Sequence, residues 1–366
     1  MKATPLAEKL ARKGVSLGDY CGATTALSFG DSPQEFRSLV RGCGIYDLGW
    51  RAHFRIAGKD RVRWLNGMVS NNIRELPPGR GNYSFVLTAQ GHIQGDLCVY
   101  NLGEYFIAST DRSQLEKLLV LLDRYIIMDQ VELTNMGEEL TAIAVQGPHA
   151  PGVLAALGVD TLPQPMEIRP VPCAGVTADR LLLTRMSDGR YQGYELWASP
   201  AEASLLWDKL CASATPVGMQ AVEMFRVAAG IPRYGQDIRE RDLPQETAQT
   251  QALSSTKGCY VGQEIVERIR SRGSVHRTFT GFTLQGPPPA IGSKIIANGK
   301  EAGEITSALS VPSVDAGEQP DSVLALGYIR REFAQPGTLV EAAGSRAIVT
   351  QVPFSEILFR ELNNVE

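Results

Sequence analysis

The sequence predicts an α+β fold: two comparable antiparallel-sheet and helix halves, then an all-β module that closes as a barrel. Strand-like and helix-like segments alternate through two similar cycles as far as residue 245. From Arg277 the texture changes to short apolar strands cut by Pro- and Gly-rich turns. No G-x-G-x-x-G follows the first strand, which argues against a parallel dinucleotide-binding sheet. A chain of 366 residues suggests two or three domains. The boundaries read as 1–138 and 139–245 for the halves, 246–276 for a loop and helix, and 277–366 for the barrel.

Taken in order, Ser32-Pro33-Gln34-Glu35 starts a helix, with Ser32 as cap, running through Phe36, Leu39 and Val40. Ile45–Leu48 opens a strand, and His53–Ile56 alternates polar and apolar residues as a half-buried strand does. Asp60 can cap a helix carrying Val62, Leu65 and Met68. Asn82–Thr88 and Ile93–Tyr100, joined by Ala89-Gln90-Gly91, read as a hairpin. A strand at 105–109 precedes an amphipathic helix over 111–125 with Leu115, Leu118, Leu119 and Leu122 on one face.

The second cycle has a strand at 140–146, a helix at 149–157, strands at 181–184 and 194–198, and helices at 200–212 and 222–229. Leu205, Leu206 and Leu210 are read as the inward face of the helix at 200–212. Residues 231–256 lack apolar periodicity and read as a long functional loop. Barrel strands are expected at 277–284, 294–297, 303–308, 323–329, 339–342 and 347–352.

A net charge of −4 argues against nucleic-acid coating or attraction to anionic membranes as the main activity. No stretch is long enough for a transmembrane helix, and the N-terminus has no secretion-signal pattern. Six scattered cysteines, none in a C-x-x-C pair, disfavour a local zinc site or redox dithiol and fit a reducing cytoplasm. The four histidines, 53, 92, 149 and 276, are dispersed, and a loop histidine such as His276 is ordinarily solvated.

The most distinctive stretch is Lys257-Gly258-Cys259-Tyr260-Val261-Gly262-Gln263-Glu264. Two glycines bracket a cysteine, a lysine precedes it by two residues, and a helical pattern follows. Glycine allows tight turning and close approach. A helix N-terminus and a nearby ammonium both favour thiolate, the form that attacks electrophiles or binds metal. The plainer reading is a small buried hydrophobe. Glu264 and Arg268 form an i,i+4 pair, so the arginines at 268, 270, 272 and 277 read as a solvated face rather than an RNA-reading patch.

The octapeptide resembles the K-G-C-[FY]-x-G-Q-E signature of the YgfZ family of folate-binding, tRNA-modification and iron–sulphur-cluster proteins, with every fixed position met. A second resemblance covers residues 36–352. Ile45-Tyr46-Asp47-Leu48, Asn82-Tyr83-Ser84, Gly95-Asp96-Leu97-Cys98-Val99-Tyr100, Ala144–Pro148, Gly193-Tyr194-Glu195 and Arg226–Gly230 are similar to landmarks of the glycine cleavage T-protein, the aminomethyltransferase, whose fold YgfZ proteins share. That resemblance implies a central folate pocket.

Asp96 would lie by the reactive nitrogen of tetrahydrofolate, Glu195 would hold the pterin ring, and Arg226 would lie near the glutamate tail. Tyr83 and Tyr100 would form aromatic walls. Carboxylates suit an aminopyrimidine edge and a guanidinium suits a carboxylate. The plainer readings are a solvent-facing Asp96, core tyrosines and a charge-paired Arg226. Two departures weaken the transferase reading: Gly95 stands where the T-protein has the first Asp of an Asp-Asp-Leu run, and Asp188-Gly189-Arg190-Tyr191 stands where it has Tyr-Thr-Gly-Glu.

The resemblance therefore implies a cytoplasmic, monomeric folate-binding accessory protein for assembly or repair of iron–sulphur clusters, indirectly supporting tRNA modification. Its partners would be iron–sulphur proteins or their assembly machinery, without membrane or direct nucleic-acid contact. Cys259 would be the reactive group, with Lys257 and the helix N-terminus favouring its thiolate and Gly258 and Gly262 shaping the loop. A single thiolate cannot hold a cluster alone, so no stable cluster is expected on the monomer. The alternatives are a tetrahydrofolate-dependent aminomethyltransferase and a non-catalytic folate-binding regulator.

Overall fold

A computed structural model describes residues 2–173, 181–186, 191–273, 275–314 and 320–358. The chain divides into two compact units. The first comprises Met1–Val86, Gly95–Ala221 and Gln251–Val261; the second comprises Leu87–Gln94, Val222–Thr250 and Gly262–Glu366.

The first unit contains two large sheets. A six-stranded sheet runs in the order Ile168–Pro170, Leu182–Arg185, Gly193–Ala198, Thr141–Gln146, Gly44–Asp47, Thr215–Pro216. Its pairings are antiparallel except the last, which is parallel. A five-stranded sheet runs Gly81–Leu87, Ile93–Asn101, Phe106–Asp111, Arg51–Ala57, Glu132–Asn135. The strand at 44–47 is local in sequence to the second sheet but pairs into the first, Ile143 opposite Asp47 and Val145 opposite Ile45. A chain-order cut at 138 therefore does not separate the sheets, because strand partnership is decided by long-range pairing that local patterning does not report.

Each sheet buries one face against helices. Ile45, Ile143, Val145, Leu183 and Leu196 pack with Leu206, Trp207 and Leu210 of the helix Pro200–Leu210. Phe54, Ile56, Leu97, Val99 and Phe106 pack with Leu65 of Arg61–Met68 and with Leu115, Leu118 and Leu122 of Arg112–Asp123. Each fully buried Phe or Leu contributes roughly 1.5–3 kcal/mol.

Local details differ from expectation. Leu205 is 54% exposed, and Trp207 takes its place on the inward face. Ala203, Leu206, Trp207 and Leu210 follow the i, i+3, i+4, i+7 spacing of one helix face, and Leu205, at i+2, falls outside it. The helix Ser32–Arg41 is capped by Asp31, whose carboxylate accepts from the Gln34 N–H, not by Ser32. Asp60 precedes its helix without a side-chain cap and instead accepts from the Gln130 N–H. A small sheet of Lys2–Ala3, Ala23–Ser28 and Ser16–Tyr20 forms where the first residues gave no strand pattern.

The second unit carries a closed barrel in the order Arg277–Leu284, Ser322–Arg330, Lys300–Val311, Lys294–Ala297, Leu339–Ala342, Ser345–Thr350. The last strand returns to the first, Gly281 opposite Thr350 through Leu284 opposite Ala347. Closure leaves no unpaired edge. Phe282, Ile295, Ile305, Ile329 and Val349 fill the interior.

Candidate functional site

Asp96 lies on the strand Ile93–Asn101, and its carboxyl is held at both oxygens. Tyr83 donates its hydroxyl to Oδ2 at 2.6 Å, and the Gln114 amide donates to Oδ1 at 2.8 Å. Gln114 also accepts from the Asp96 main-chain N–H at 3.0 Å, so one side chain grips backbone and carboxyl together. Thr110 donates to the Asp96 carbonyl at 2.7 Å. Asp96 is half-buried rather than solvent-facing. Burial, and then the Asp111 carboxylate, push its pKa above the usual carboxyl range, against the bonds from Tyr83 and Gln114 and the charge of Arg51. Tyr83 is pushed well up by burial and by Asp96, so it stays a donor.

Arg51 and Asp111 stand opposite each other on neighbouring strands and pair at 2.6 Å. Arg51 also donates to the carbonyl and hydroxyl of Ser109, each at 3.1 Å. Burial opposes its charge, but Asp111 and then Cys98, Glu195 and Asp96 push its pKa up. Asp111 precedes the helix Arg112–Asp123 without a side-chain cap bond, and its carboxylate serves Arg51 instead. Burial pushes the Cys98 thiol up to about 12, which makes it a poor nucleophile.

Glu195 and Trp197, two apart on the strand Gly193–Ala198, share one face, and the indole N–H donates to Glu195 Oε2 at 2.7 Å. The Trp197 ring lies 5.2 Å from Tyr100 and 4.3 Å from His53, both edge-on. The Tyr100 hydroxyl is pushed well up by burial. His53 is fully buried, and neither ring nitrogen has a hydrogen-bond partner. Burial, then Arg51 and Arg112, push its pKa down to about 3, so the imidazole is neutral. Tyr83, Asp96, Tyr100 and Glu195 thus share one unit, within a network that also contains Arg51, Asp111, Gln114, His53 and Trp197.

Those last five were not legible in the sequence. The signal closest to one of them is Asp111-x-x-Gln114, a cap-like spacing whose side chains both turn out to serve other residues.

Cys259 is exposed on the loop segment 257–262. Lys257 turns to the main chain. The Lys257 ammonium is buried and donates to the carbonyls of Asn66, Val69 and Asn71 at 2.7, 2.5 and 2.7 Å. It also sits 4.7 Å from the centre of the Tyr260 ring. Burial pushes its pKa down to about 7. Three acceptors and a ring face act in the opposite direction, and the geometry is that of an ammonium.

Gly258 does not shape the loop by steric need, since a Cβ there would meet nothing within 4 Å and its φ is not positive. Gly262 does, with φ +84° and the Thr88 carbonyl 2.5 Å from where a Cβ would sit. It caps the helix Gln263–Arg272, on which Glu264 pairs with Arg268 at 2.7 Å. Gln263 opens that helix.

Arg226 belongs to the second unit. Its guanidinium is buried, paired with Asp237 at 2.7 Å and Glu223 at 2.8 Å, and donates to Ser307 and the Ile231 carbonyl, each at 2.9 Å. His276 is exposed. Asp188, Gly189 and Arg190 lie outside the described residues. Among the described residues no helix is long and apolar enough to cross a membrane, and no three His, Cys, Asp or Glu side chains converge as a metal site.

Comparison with known proteins places this geometry. The chain is 28% identical to an aminomethyltransferase of Thermus thermophilus over 362 residues, covering 97% of this chain and 99% of the relative. It is 27% identical to one of Chloroherpeton thalassium, covering 97% and 99%. The crystal structure of glycine cleavage system aminomethyltransferase T from Bartonella henselae superposes with a TM-score of 0.86 at 23% identity, covering 97% of this chain and 98% of that one. The fold is therefore the aminomethyltransferase T fold, two α+β sheet layers with a C-terminal barrel. Residues 6–257 match the model of the GCVT N-terminal domain, and the chain belongs to that family.

Proposed function

We propose that this chain is a folate-binding protein that acts through Cys259, an accessory factor of the YgfZ type for iron–sulphur cluster assembly or repair. The observation that carries this reading is Cys259 itself, an exposed thiol on a loop whose neighbours are tied down on both sides. The residues present fit a reduced folate. Asp96 accepts from Tyr83, and Glu195 accepts from Trp197, whose ring meets Tyr100; carboxyls and aromatic rings of this kind suit a flat heterocycle with an N–H edge.

The bound folate would supply one-carbon chemistry. The chain's own residues bind and orient: Asp96, fixed by Gln114 and Tyr83, offers or takes a proton at its carboxyl, and Glu195 accepts hydrogen bonds. Arg226 is engaged with Asp237 and Glu223 within the second unit. The cluster or its iron would be cargo.

A second reading, tetrahydrofolate-dependent aminomethyl transfer, is favoured by the names of the relatives. Against it stands Gly95, where a Cβ would meet Leu118 at 2.6 Å and Gln114 at 3.1 Å, so the first carboxylate of the Asp-Asp-Leu run is missing and those side chains would have to shift to admit it.

Complementation separates the readings. Cells lacking a YgfZ-type protein receive wild type, Cys259→Ser or Asp96→Asn at equal soluble levels, and a [4Fe–4S] tRNA-thiolating enzyme is assayed. Rescue by wild type and failure of Cys259→Ser supports the accessory role. Turnover with tetrahydrofolate and an aminomethyl donor, lost in Asp96→Asn and kept in Cys259→Ser, supports the transferase. A folate-binding regulator predicts binding without turnover and full rescue by Cys259→Ser.

A further inference from the structure

We propose that Lys257 is a positioning residue, an internal cation that clamps the Cys259 loop onto the end of the helix Arg61–Met68. The proposal rests on the reading of Cys259 as the reactive group.

The last carbonyls of a helix have no partner within it and sit at the negative end of its dipole. Here the segment 251–261 supplies the partners. The Lys257 ammonium takes the carbonyls of Asn66, Val69 and Asn71. The Val261 N–H takes Gly67 at 3.0 Å, and the Ser254 N–H takes Ser70 at 3.2 Å. Ser70 returns its hydroxyl to the Ala252 carbonyl at 2.6 Å, and the Asn71 amide donates to Gln251 at 2.8 Å. The cysteine is therefore carried between two anchors, Lys257 before it and Val261 after it.

The chemistry of the clamp selects lysine. An ammonium has three donors on one atom and can meet three acceptors converging on a point. A guanidinium spreads its donors in a plane and cannot, so arginine here keeps the charge and loses the fit. The Tyr260 ring closes the remaining side. A buried ammonium with its three donors engaged on the helix carbonyl of Asn66 and on Val69 and Asn71 just beyond the helix has none left for the thiol.

The test compares Lys257→Arg and Lys257→Met with wild type by hydrogen exchange and by mass-spectrometric alkylation of Cys259 against pH. Both variants are expected to speed exchange of the Val261 and Ser254 amides by at least about tenfold, as local opening becomes easier. The pH midpoint for Cys259 alkylation is expected to stay the same in all three proteins. Unchanged exchange in Lys257→Met overturns the clamp. A midpoint that rises in Lys257→Met and not in Lys257→Arg overturns it in favour of charge activation.

The wild-type protein gives a measurement that needs no variant. A caged ammonium shows its own slowly exchanging N–H signal at neutral pH, and fast exchange there refutes the cage. Full rescue by Cys259→Ser would remove the proposed role of the thiol, while the exchange data would still judge Lys257.

Discussion

His53 makes the first unit sensitive to acid in a way that can be measured against an internal control. The ring is fully buried against Trp197, and both nitrogens lack partners. Its folded pKa is pushed down from 6.5 to about 3. The unfolded chain therefore takes up a proton below pH 6.5 that the folded chain refuses. Stability from this group is fully present above pH 6.5 and is lost as pH falls toward 3.

At about 1.4 kcal/mol per pH unit, the loss between pH 7 and pH 5 is about 2 kcal/mol. Other groups titrate too, so the control is His53→Phe, which keeps a ring against Trp197 and cannot take the proton. All four tryptophans, Trp50, Trp64, Trp197 and Trp207, lie in the first unit, so urea unfolding followed by their fluorescence reports on that unit. Wild type is expected to lose about 2 kcal/mol more than His53→Phe between pH 7 and pH 5. Parallel losses in the two proteins, or a folded His53 signal titrating near pH 6.5, would refute the reasoning.

Gln114→Leu removes the grip on Asp96 and one of the bonds favouring its charged form, so the carboxyl pKa should rise further, read by carbon NMR of labelled aspartate. Arg226→Met leaves Asp237 buried without its guanidinium and should cost about 3–5 kcal/mol in urea unfolding; a change under about 1 kcal/mol would show that the network is dispensable. Gly262→Ala should destabilise by more than about 1 kcal/mol, because alanine resists the left-handed backbone and meets the Thr88 carbonyl. Gly258→Ala should leave stability unchanged within about 0.5 kcal/mol. Loss of complementation in that same variant would show that a partner approaches the backbone at Gly258.

The barrel was the most legible part of the chain, because turn residues such as Gly286, Gly292, Gly299, Gly337 and Gly344 punctuate its strands and each has a positive φ. The hairpin around Gly91 was legible for the same reason. Asp96, Tyr83, Tyr100 and Glu195 were read from resemblance, and their gathering into one unit is a result of folding. Arg51 and Asp111 escaped notice because their pairing depends on strand register across sixty residues. The contacts of Lys257 are hidden from the sequence for a deeper reason. Its partners are main-chain carbonyls, which every residue carries, so no side-chain pattern announces them.

That clamp also has a consequence for biosynthesis. The carbonyls it satisfies are made 186 to 191 residues before the lysine that satisfies them. A nascent chain that has completed residue 221 has both large sheets but not the cap on the helix Arg61–Met68. It must hold that helix end open to water while the next stretch is translated. A fragment stopped at 221 would keep this defect permanently, whereas adding a separate peptide of residues 251–261 should mend it in trans.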